Sequence, residues 1–190
     1  MGRLTAICVI VVVGGLCACT TSDPKIKGAV PNKVVAAALS GTWQCTPEYS
    51  SKARHGLLPA SVGPDNLEDV FSDFVDASEV RSCGTATLVY EATPKLTITY
   101  ERNGVLSKAQ DIDAKHGLRV ADDGTVELVS KSCGSDLGVG CVRDSYRLFV
   151  DDSGRLVVVE KSMGAGIAFL ILPLLGSDSR MARFAPKVIK

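Results

Sequence analysis

The chain has no excess of charge of either sign and few of the residue types that build metal or catalytic centres. Its 190 residues include 21 basic and 21 acidic side chains, so the broad basic surface of a nucleic-acid-binding protein is excluded. There are two histidines and one tryptophan. No nucleophile elbow, Walker loop, zinc-protease helix or dinucleotide fingerprint occurs. We therefore predict no catalytic residue, metal or cofactor.

The first residues contain, in order, the three regions of a secretory signal peptide. Residues 1–18 contain Arg3, then a short apolar stretch, then small residues. The end of this segment, Leu16-Cys17-Ala18-Cys19, resembles the lipobox of bacterial lipoproteins. That resemblance implies cleavage before Cys19 and acylation of this cysteine, with Thr20 directing the protein to the outer membrane, on its periplasmic face. An ordinary cleaved signal peptide is the alternative.

The cysteines beyond the signal form an even set. Residues 19–33 are polar with two prolines and read as a tether, which leaves 34–190 as a single domain. Cys45, Cys83, Cys133 and Cys141 remain there, as expected for disulfides in an oxidising compartment. We favour Cys133–Cys141, which closes a short loop, and therefore Cys45–Cys83. A zinc site is the alternative, but no C-x-x-C pair is present.

Most of the domain has the two-residue period of β-strands. In residues 95–102, Leu96, Ile98 and Tyr100 fall on one face while threonines and Glu101 fall on the other. Asn103-Gly104 is a two-residue hairpin turn, and similar segments recur at roughly ten-residue intervals. We predict a mainly all-β fold, an antiparallel barrel-like meander of about 8–10 strands.

One segment has the helical period instead. Leu67, Val70, Phe71 and Phe74 recur at helical spacing, which predicts one amphipathic helix over about 66–80. Asp65 is the expected N-cap, with Glu68 completing a capping box. The outer face is acidic, so it is either a solvated surface or a docking surface for a basic partner.

The strand at the start of the domain carries a second resemblance. Gly41-Thr42-Trp43 resembles the G-x-W signature of lipocalins and related calycin barrels, although their T-D-Y motif is absent. In that family the tryptophan packs across the closed end of the barrel against a late arginine. The resemblance implies that Gly41 and Trp43 close the barrel together with Arg180 or Arg183.

A continuous apolar segment lies near the end of the chain. Residues 163–176 contain no polar side chain, yet they are too short for a transmembrane helix and include Pro173. We expect a strand that is apolar on both faces and covered by the helix through Phe71 and Phe74. Otherwise part of it, in particular Phe169, Leu170 and Ile171, contacts an apolar ligand or a membrane.

Other candidates for chemistry are weak. Asp111 and Asp113 are separated by one residue, so both fall on the same face of a strand. This placement is compatible with acid–base catalysis or with a polar outer face. His55 and His116 each precede a glycine and look like exposed turn positions. Residues 134–140 are glycine-rich but lie inside the expected disulfide loop.

These observations predict a membrane-anchored lipoprotein that acts by binding. The lipocalin resemblance implies a carrier or sensor of a small apolar molecule, since an eight-stranded barrel holds one such ligand. A periplasmic inhibitor or toxin-immunity lipoprotein, with a protein as partner, is the alternative. An envelope scaffold protein is the third. The expected partners are thus the membrane and either an apolar molecule or a periplasmic protein, not nucleic acid.

The lipidation hypothesis predicts the behaviour of a Cys19→Ala variant. Because the acyl chains would be attached to this sulfur, the variant should lose labelling by radioactive palmitate and leave the membrane fraction. Cys17→Ala is the matched control and should keep both properties. Unchanged labelling of Cys19→Ala would contradict the hypothesis.

Overall fold

The computed structural model describes residues 36–56, 64–75, 83–91, 93–134, 138–168 and 172–188. The described chain is mostly antiparallel β-strand, which confirms the predicted all-β, barrel-like meander. The described residues contain eleven strands, which form two sheets. Cys19 and the rest of the predicted signal and tether lie outside the described residues, as do Phe169, Leu170 and Ile171.

The first sheet contains the early strands. Its order is β1–β3–β4–β5, with β6 also paired to β4. The strand bounds are β1 Gly41–Gln44, β3 Thr85–Glu91, β4 Lys95–Arg102, β5 Val105–Leu106 and β6 Gln110–Asp113. The predicted Asn103-Gly104 turn is confirmed, because both residues have positive φ and join β4 to β5. After this turn the chain forms two short strands, β5 and β6, instead of one long strand.

The second sheet contains the long strands. Its order is β2–β11–β10–β9–β8–β7. The bounds are β2 Tyr49–Gly56, β7 Leu118–Val120, β8 Val126–Gly134, β9 Gly138–Val150, β10 Leu156–Ala168 and β11 Leu172–Phe184. Among the described residues, a first 3-10 helix, Ala36–Leu39, precedes β1, and a second, Ala114–His116, connects β6 to β7.

The apolar segment is not the single covered strand that the sequence predicts. It is divided between the ends of β10 and β11, which pair with each other up to Ala168 opposite Leu172. Residues 169–171, which lie between the two paired ends, contain no glycine, proline, asparagine or aspartate, so the hydrophobic pattern alone could not locate the change of strand. Phe71 belongs to the main core and Phe74 packs against it, whereas the side chains of residues 166–176, on which the predicted cover depends, lie outside the described set.

The helix α1, Leu67–Phe71, is shorter than predicted and begins differently. Residues 72–75 form turns, and 76–82 lie outside the described residues. Asn66, not Asp65, is the N-cap, because its side chain accepts a hydrogen bond from the Glu68 amide. Glu68 does not complete a capping box. Its carboxylate is buried and accepts a hydrogen bond from the Cys83 amide at 3.2 Å.

The core lies between the two sheets and is closed by α1. Inward side chains of both sheets and the apolar face of α1 form one cluster of buried residues. Its largest fully buried members include Tyr100, Phe71, Phe184, Leu39, Leu67, Leu88, Leu96, Ile98, Ile112, Leu128, Leu148 and Leu156.

Trp43 lies where the two sheets meet. Its side chain is 4% exposed, and its indole N–H donates to the Leu39 carbonyl at 3.2 Å. A Cβ on Gly41 would lie 3.3 Å from the indole ring, closer than an ordinary van der Waals contact. Beyond β11, Pro186 lies opposite Trp43.

Arg180 and Arg183 do not cover Trp43 as the lipocalin resemblance implies. Phe184 is buried in the core, and strand alternation therefore directs Arg183 to the other face of β11. There Arg183 pairs with Asp151 at 3.2 Å. Arg180 shares the inner face, but it lies opposite Glu160. The structure places neither guanidinium over the indole ring.

Replacing Trp43 tests this junction. Because the indole is buried, Trp43→Ala should lower the free energy of unfolding by about 3–5 kcal/mol. Trp43→Phe keeps most of the volume and should cost distinctly less. Urea unfolding followed by far-UV circular dichroism measures both. A loss below about 1 kcal/mol for Trp43→Ala would contradict the packing described here.

Candidate functional site

An open cleft lies between the turn after α1, the second 3-10 helix and β8. It has a volume of about 420 Å³. Its walls combine basic, acidic, hydroxyl and apolar side chains. They are formed by Asp73, Phe74, Ala114, Lys115, His116, Gly117, Val129, Ser130 and Lys131. This composition suits a polar ligand or a protein surface better than an apolar small molecule.

One wall of the cleft is organised by Asp113. Its carboxylate accepts hydrogen bonds from the amides of Lys115 and His116, and it contacts the His116 Nδ1 at 2.9 Å. Burial acts against ionisation, but these hydrogen bonds outweigh it and lower the pKa of Asp113. The contact at Nδ1 leaves Nε2 of the half-exposed imidazole available to a ligand.

Asp111 and Asp113 do not act as the carboxylate pair that their spacing suggested. The Asp111 carboxylate accepts a hydrogen bond from the Thr97 hydroxyl at 2.7 Å and lies 3.7 Å from the Lys95 ammonium. Asp113 caps the 3-10 helix instead. Because each carboxylate has its own partners, the structure supports the polar-face interpretation and not joint acid–base chemistry.

Gly117 fixes the position of this wall against β8. Its φ is +87°, and a Cβ at this position would lie 2.2 Å from the Val129 carbonyl oxygen. The Gly117 carbonyl in turn accepts a hydrogen bond from the Val129 amide at 3.1 Å. Only glycine fits both the positive φ and this close approach, so His116 is held at a fixed place beside β8.

The opposite wall comes from the turn after α1. The Ser130 hydroxyl donates to the Asp73 carboxylate at 3.3 Å. Phe74 packs its ring edge-on against Tyr146, with 6.0 Å between the ring centroids. These contacts attach the turn to β8 and β9 and leave Phe74 partly buried at the bottom of the cleft.

A buried polar row crosses the second sheet beside the cleft. Glu160 on β10 lies opposite Tyr146 on β9 and opposite Arg180 on β11. Glu160 and Arg180 are each 5% exposed, and Glu160 Oε2 and Arg180 Nη1 have no hydrogen-bond partner among the described residues.

The surroundings of Glu160 favour its protonated form. Burial is the largest cause, and the carboxylates of Asp144, Asp178 and Asp73 add to it against the opposing charge of Arg180. Together they raise the pKa of Glu160 from 4.5 to about 7. Lys52 on β2 lies beside Arg180 in the strand register. Burial likewise raises the pKa of Tyr146.

The other residues singled out in the sequence fall elsewhere. The structure joins Cys45 to Cys83 and Cys133 to Cys141, the two pairs that the sequence favours. Gly134 lies opposite Gly140 at the end of the β8–β9 hairpin, and the side chain of His55 is outside the described set.

Sequence reasoning missed the cleft itself. The sequence indicates an isolated turn residue at His116, whereas the structure brings it together with Asp73, Phe74 and Lys131 from distant parts of the chain. The spacing Asp113-x-x-His116-Gly117 was an available local signal, because an acidic cap followed by glycine is typical of a short helical turn. Nothing local indicated that β8 would form the facing wall.

The comparisons with known proteins add no assignment. Neither a comparison with protein-family models nor one with curated proteins finds a match. Among the described residues, no three histidine, cysteine or carboxylate side chains converge on a metal site. Within the same part of the chain, no helix has the length and apolar character that crossing a bilayer requires.

The raised pKa of Glu160 predicts a specific pH dependence. Between pH 4.5 and about 7 the folded protein keeps a proton that the unfolded chain releases. The free energy of unfolding should therefore fall as the pH rises through this range. Glu160→Gln should remove this fall and be more stable than wild type by about 2–3 kcal/mol above pH 7.5, with little difference near pH 5.

Urea unfolding at several pH values measures this effect. Asp122→Asn is a suitable control, because Asp122 is exposed in a turn and does not belong to the buried row. This variant should show the same pH dependence of the free energy of unfolding as wild type. Parallel pH curves for wild type and Glu160→Gln would show that Glu160 is not the titrating group.

Proposed function

We propose that this chain is a lipid-anchored binding protein of the bacterial envelope that recognises a partner protein at its open cleft, as an inhibitor or immunity lipoprotein would. The observation that carries the proposal is the filled interior of the described fold. An enclosed carrier site for a small molecule needs several hundred cubic ångströms of apolar space. Among the described residues, α1 and aromatic side chains such as Phe71, Tyr100 and Phe184 are buried in the space between the two sheets.

The chemistry of the cleft supports a protein partner. Lys115, His116 and Lys131 offer hydrogen-bond donors, and Asp73 offers a carboxylate beside them. Phe74 adds an apolar surface at the bottom. A partly buried aromatic side chain surrounded by polar and charged groups is typical of protein-binding sites. The rigid Gly117–Val129 contact supports recognition with little loss of conformational entropy.

The cellular location in this proposal rests on the sequence. The lipobox-like Leu16-Cys17-Ala18-Cys19 supports attachment to the outer membrane through Cys19. Two disulfides within the folded domain are compatible with an oxidising compartment such as the periplasm. A partner protein would then be a periplasmic or secreted protein that reaches this face of the membrane.

A charge reversal in the cleft tests the proposal. Wild type, Lys115→Glu and Lys108→Glu would be cross-linked in envelopes of the source organism and the adducts identified by mass spectrometry. Both lysines are exposed, but only Lys115 lines the cleft. We expect a defined protein adduct whose yield falls at least fivefold in Lys115→Glu, because an attractive charge becomes repulsive, and is unchanged in Lys108→Glu.

Binding of a fluorescent fatty acid separates this function from a carrier. Purified wild-type protein should not bind the probe stoichiometrically. Tight one-to-one binding of the fatty acid, or an adduct equally abundant in both lysine variants, would overturn the proposal. Tight one-to-one binding of the fatty acid would instead support the lipocalin-like carrier.

A further inference from the structure

The outer edge of β8 has a neighbouring strand along only part of its length. Residues 126–128 of β8 pair with β7, and the Val129 amide donates to the Gly117 carbonyl at 3.1 Å. Before Gly117 the chain leaves this edge and forms the second 3-10 helix. From Ser130 to Gly134 the outer edge of β8 therefore has no strand beside it in the part of the chain that the structure describes.

The backbone of this edge directs hydrogen-bonding groups outward beside the cleft. In a strand, alternate residues direct both their N–H and their C=O to the same edge. Because the Val129 amide points outward, Lys131 and Cys133 also present an N–H and a C=O each to the outer edge. Both residues are exposed. Val129, Ser130 and Lys131 line the cleft, so a strand that paired here would lie within it.

The edge is held in position at both of its ends. The disulfide from Cys133 to Cys141 joins residues that lie directly opposite each other on β8 and β9. At the other end the Gly117 contact fixes Val129. Because the edge is already ordered, it loses little conformational entropy when another strand pairs with it. A lysine on an edge opposes pairing with strands in general, but it attracts a strand that carries an acidic residue.

The outer face of the edge favours an acidic residue. Leu128 is buried in the core, so strand alternation directs Lys131 to the opposite, outer face. A partner residue that paired with Lys131 would share this face, with about 5 Å between the two Cβ atoms. Lys115 and His116 line the same cleft. An acidic side chain at this position would therefore be attracted by Lys131 and by its neighbours on the second 3-10 helix.

The inner face of the edge favours apolar residues. The residues on either side of the acidic one would point toward the turn after α1, where Phe74 lies partly buried in the cleft. Acidic side chains are disfavoured there, because the Asp73 carboxylate bonds to Ser130 and Asp144 lies opposite Ser130. Apolar side chains would instead pack on the Phe74 ring. The segment that fits this edge thus has an acidic residue between two apolar residues.

We propose that β8 receives an extended segment of the partner protein, which pairs with the outward backbone of Lys131 and Cys133 and places an acidic side chain, flanked by apolar residues, against Lys131. This inference rests on the proposed function, because it states how the partner protein binds at the cleft. The segment continues the line of β7, antiparallel to β8, and adds a strand to the second sheet. Strand addition of this kind combines affinity from the main chain with specificity from alternate side chains.

Peptide display tests the proposal before the partner is identified. The probe is a library of random dodecapeptides on phage, selected on the full chain in detergent micelles. We expect the enriched peptides to contain an acidic residue between two apolar residues. One enriched peptide would then be synthesised with a fluorescein label. Fluorescence polarisation during titration with the protein measures its Kd.

Two proline variants compare this edge with another one. Lys131→Pro removes an outward N–H and should weaken peptide binding at least tenfold, whereas Lys131→Ala keeps the amide and should cost only about two- to fivefold. Leu106→Pro is the matched control and should have no effect. Its neighbours in β5 direct their backbone to β4, so the Leu106 amide also points outward. Proline is tolerated at such edge positions, and near-UV circular dichroism shows whether each variant is folded.

N-methylated peptides test the same contact on the unchanged protein. Methylation of the amide of the acidic residue removes the donor to the Lys131 carbonyl and should weaken binding at least tenfold. Methylation of the next amide, which would point away from β8, is the matched control and should change the Kd by less than about twofold.

Three outcomes would overturn the proposal. They are no peptide enriched above a protein-free selection, equal peptide affinity for wild type and folded Lys131→Pro, and equal affinity of the two methylated peptides.

The cross-linked partner separates this inference from the function on which it rests. An adduct that Lys115→Glu abolishes and Lys131→Pro leaves unchanged would overturn the strand pairing while the proposed function stands. Absence of any partner adduct, with the expected peptide results, would contradict the proposed function and still support a peptide site on β8.

Discussion

The junction between β1, β2 and the end of β11 is the constraint on which the rest of the fold depends. Residues 49–56 pair with β11, and a few residues earlier Thr42 and Gln44 bond to the backbone just beyond it. One bent segment therefore belongs to both sheets. Trp43 fills the space inside the bend, and the Cys45–Cys83 disulfide ties the bend to the start of β3. This junction thereby joins an edge of the first sheet to the end of β11 in the second sheet, beside the core cluster that includes Phe71 of α1.

Packing the two sheets around one core also buries a row of polar side chains, and this burial has a cost in the free energy of folding. The core needs apolar inward residues, yet the inner face of the second sheet becomes polar at Tyr146, Glu160 and Arg180 just beyond Leu148 and Val158. Glu160 is protonated more readily than in water because burial outweighs the attraction of Arg180. The row therefore marks the level at which the apolar core ends, and the cleft lies near this level, because Phe74 in the cleft contacts Tyr146 of the row.

The sequence predicts the features that depend on local periodicity and turn chemistry. The alternation in β4 and the Asn103-Gly104 turn are examples, as is the apolar face of α1. Prediction from the sequence fails where a contact with another residue determines the local conformation or the direction of a side chain. Asn66 replaces Asp65 as the cap, and Glu68 turns inward because the Cys83 amide lies beside it. Arg183 points away from the core because side chains alternate along β11. The lipocalin resemblance rests only on the late position of this arginine in the chain and does not take the alternation into account. Residues 169–171 contain no glycine, proline, asparagine or aspartate to indicate the change of strand, and the walls of the cleft are separated by dozens of residues.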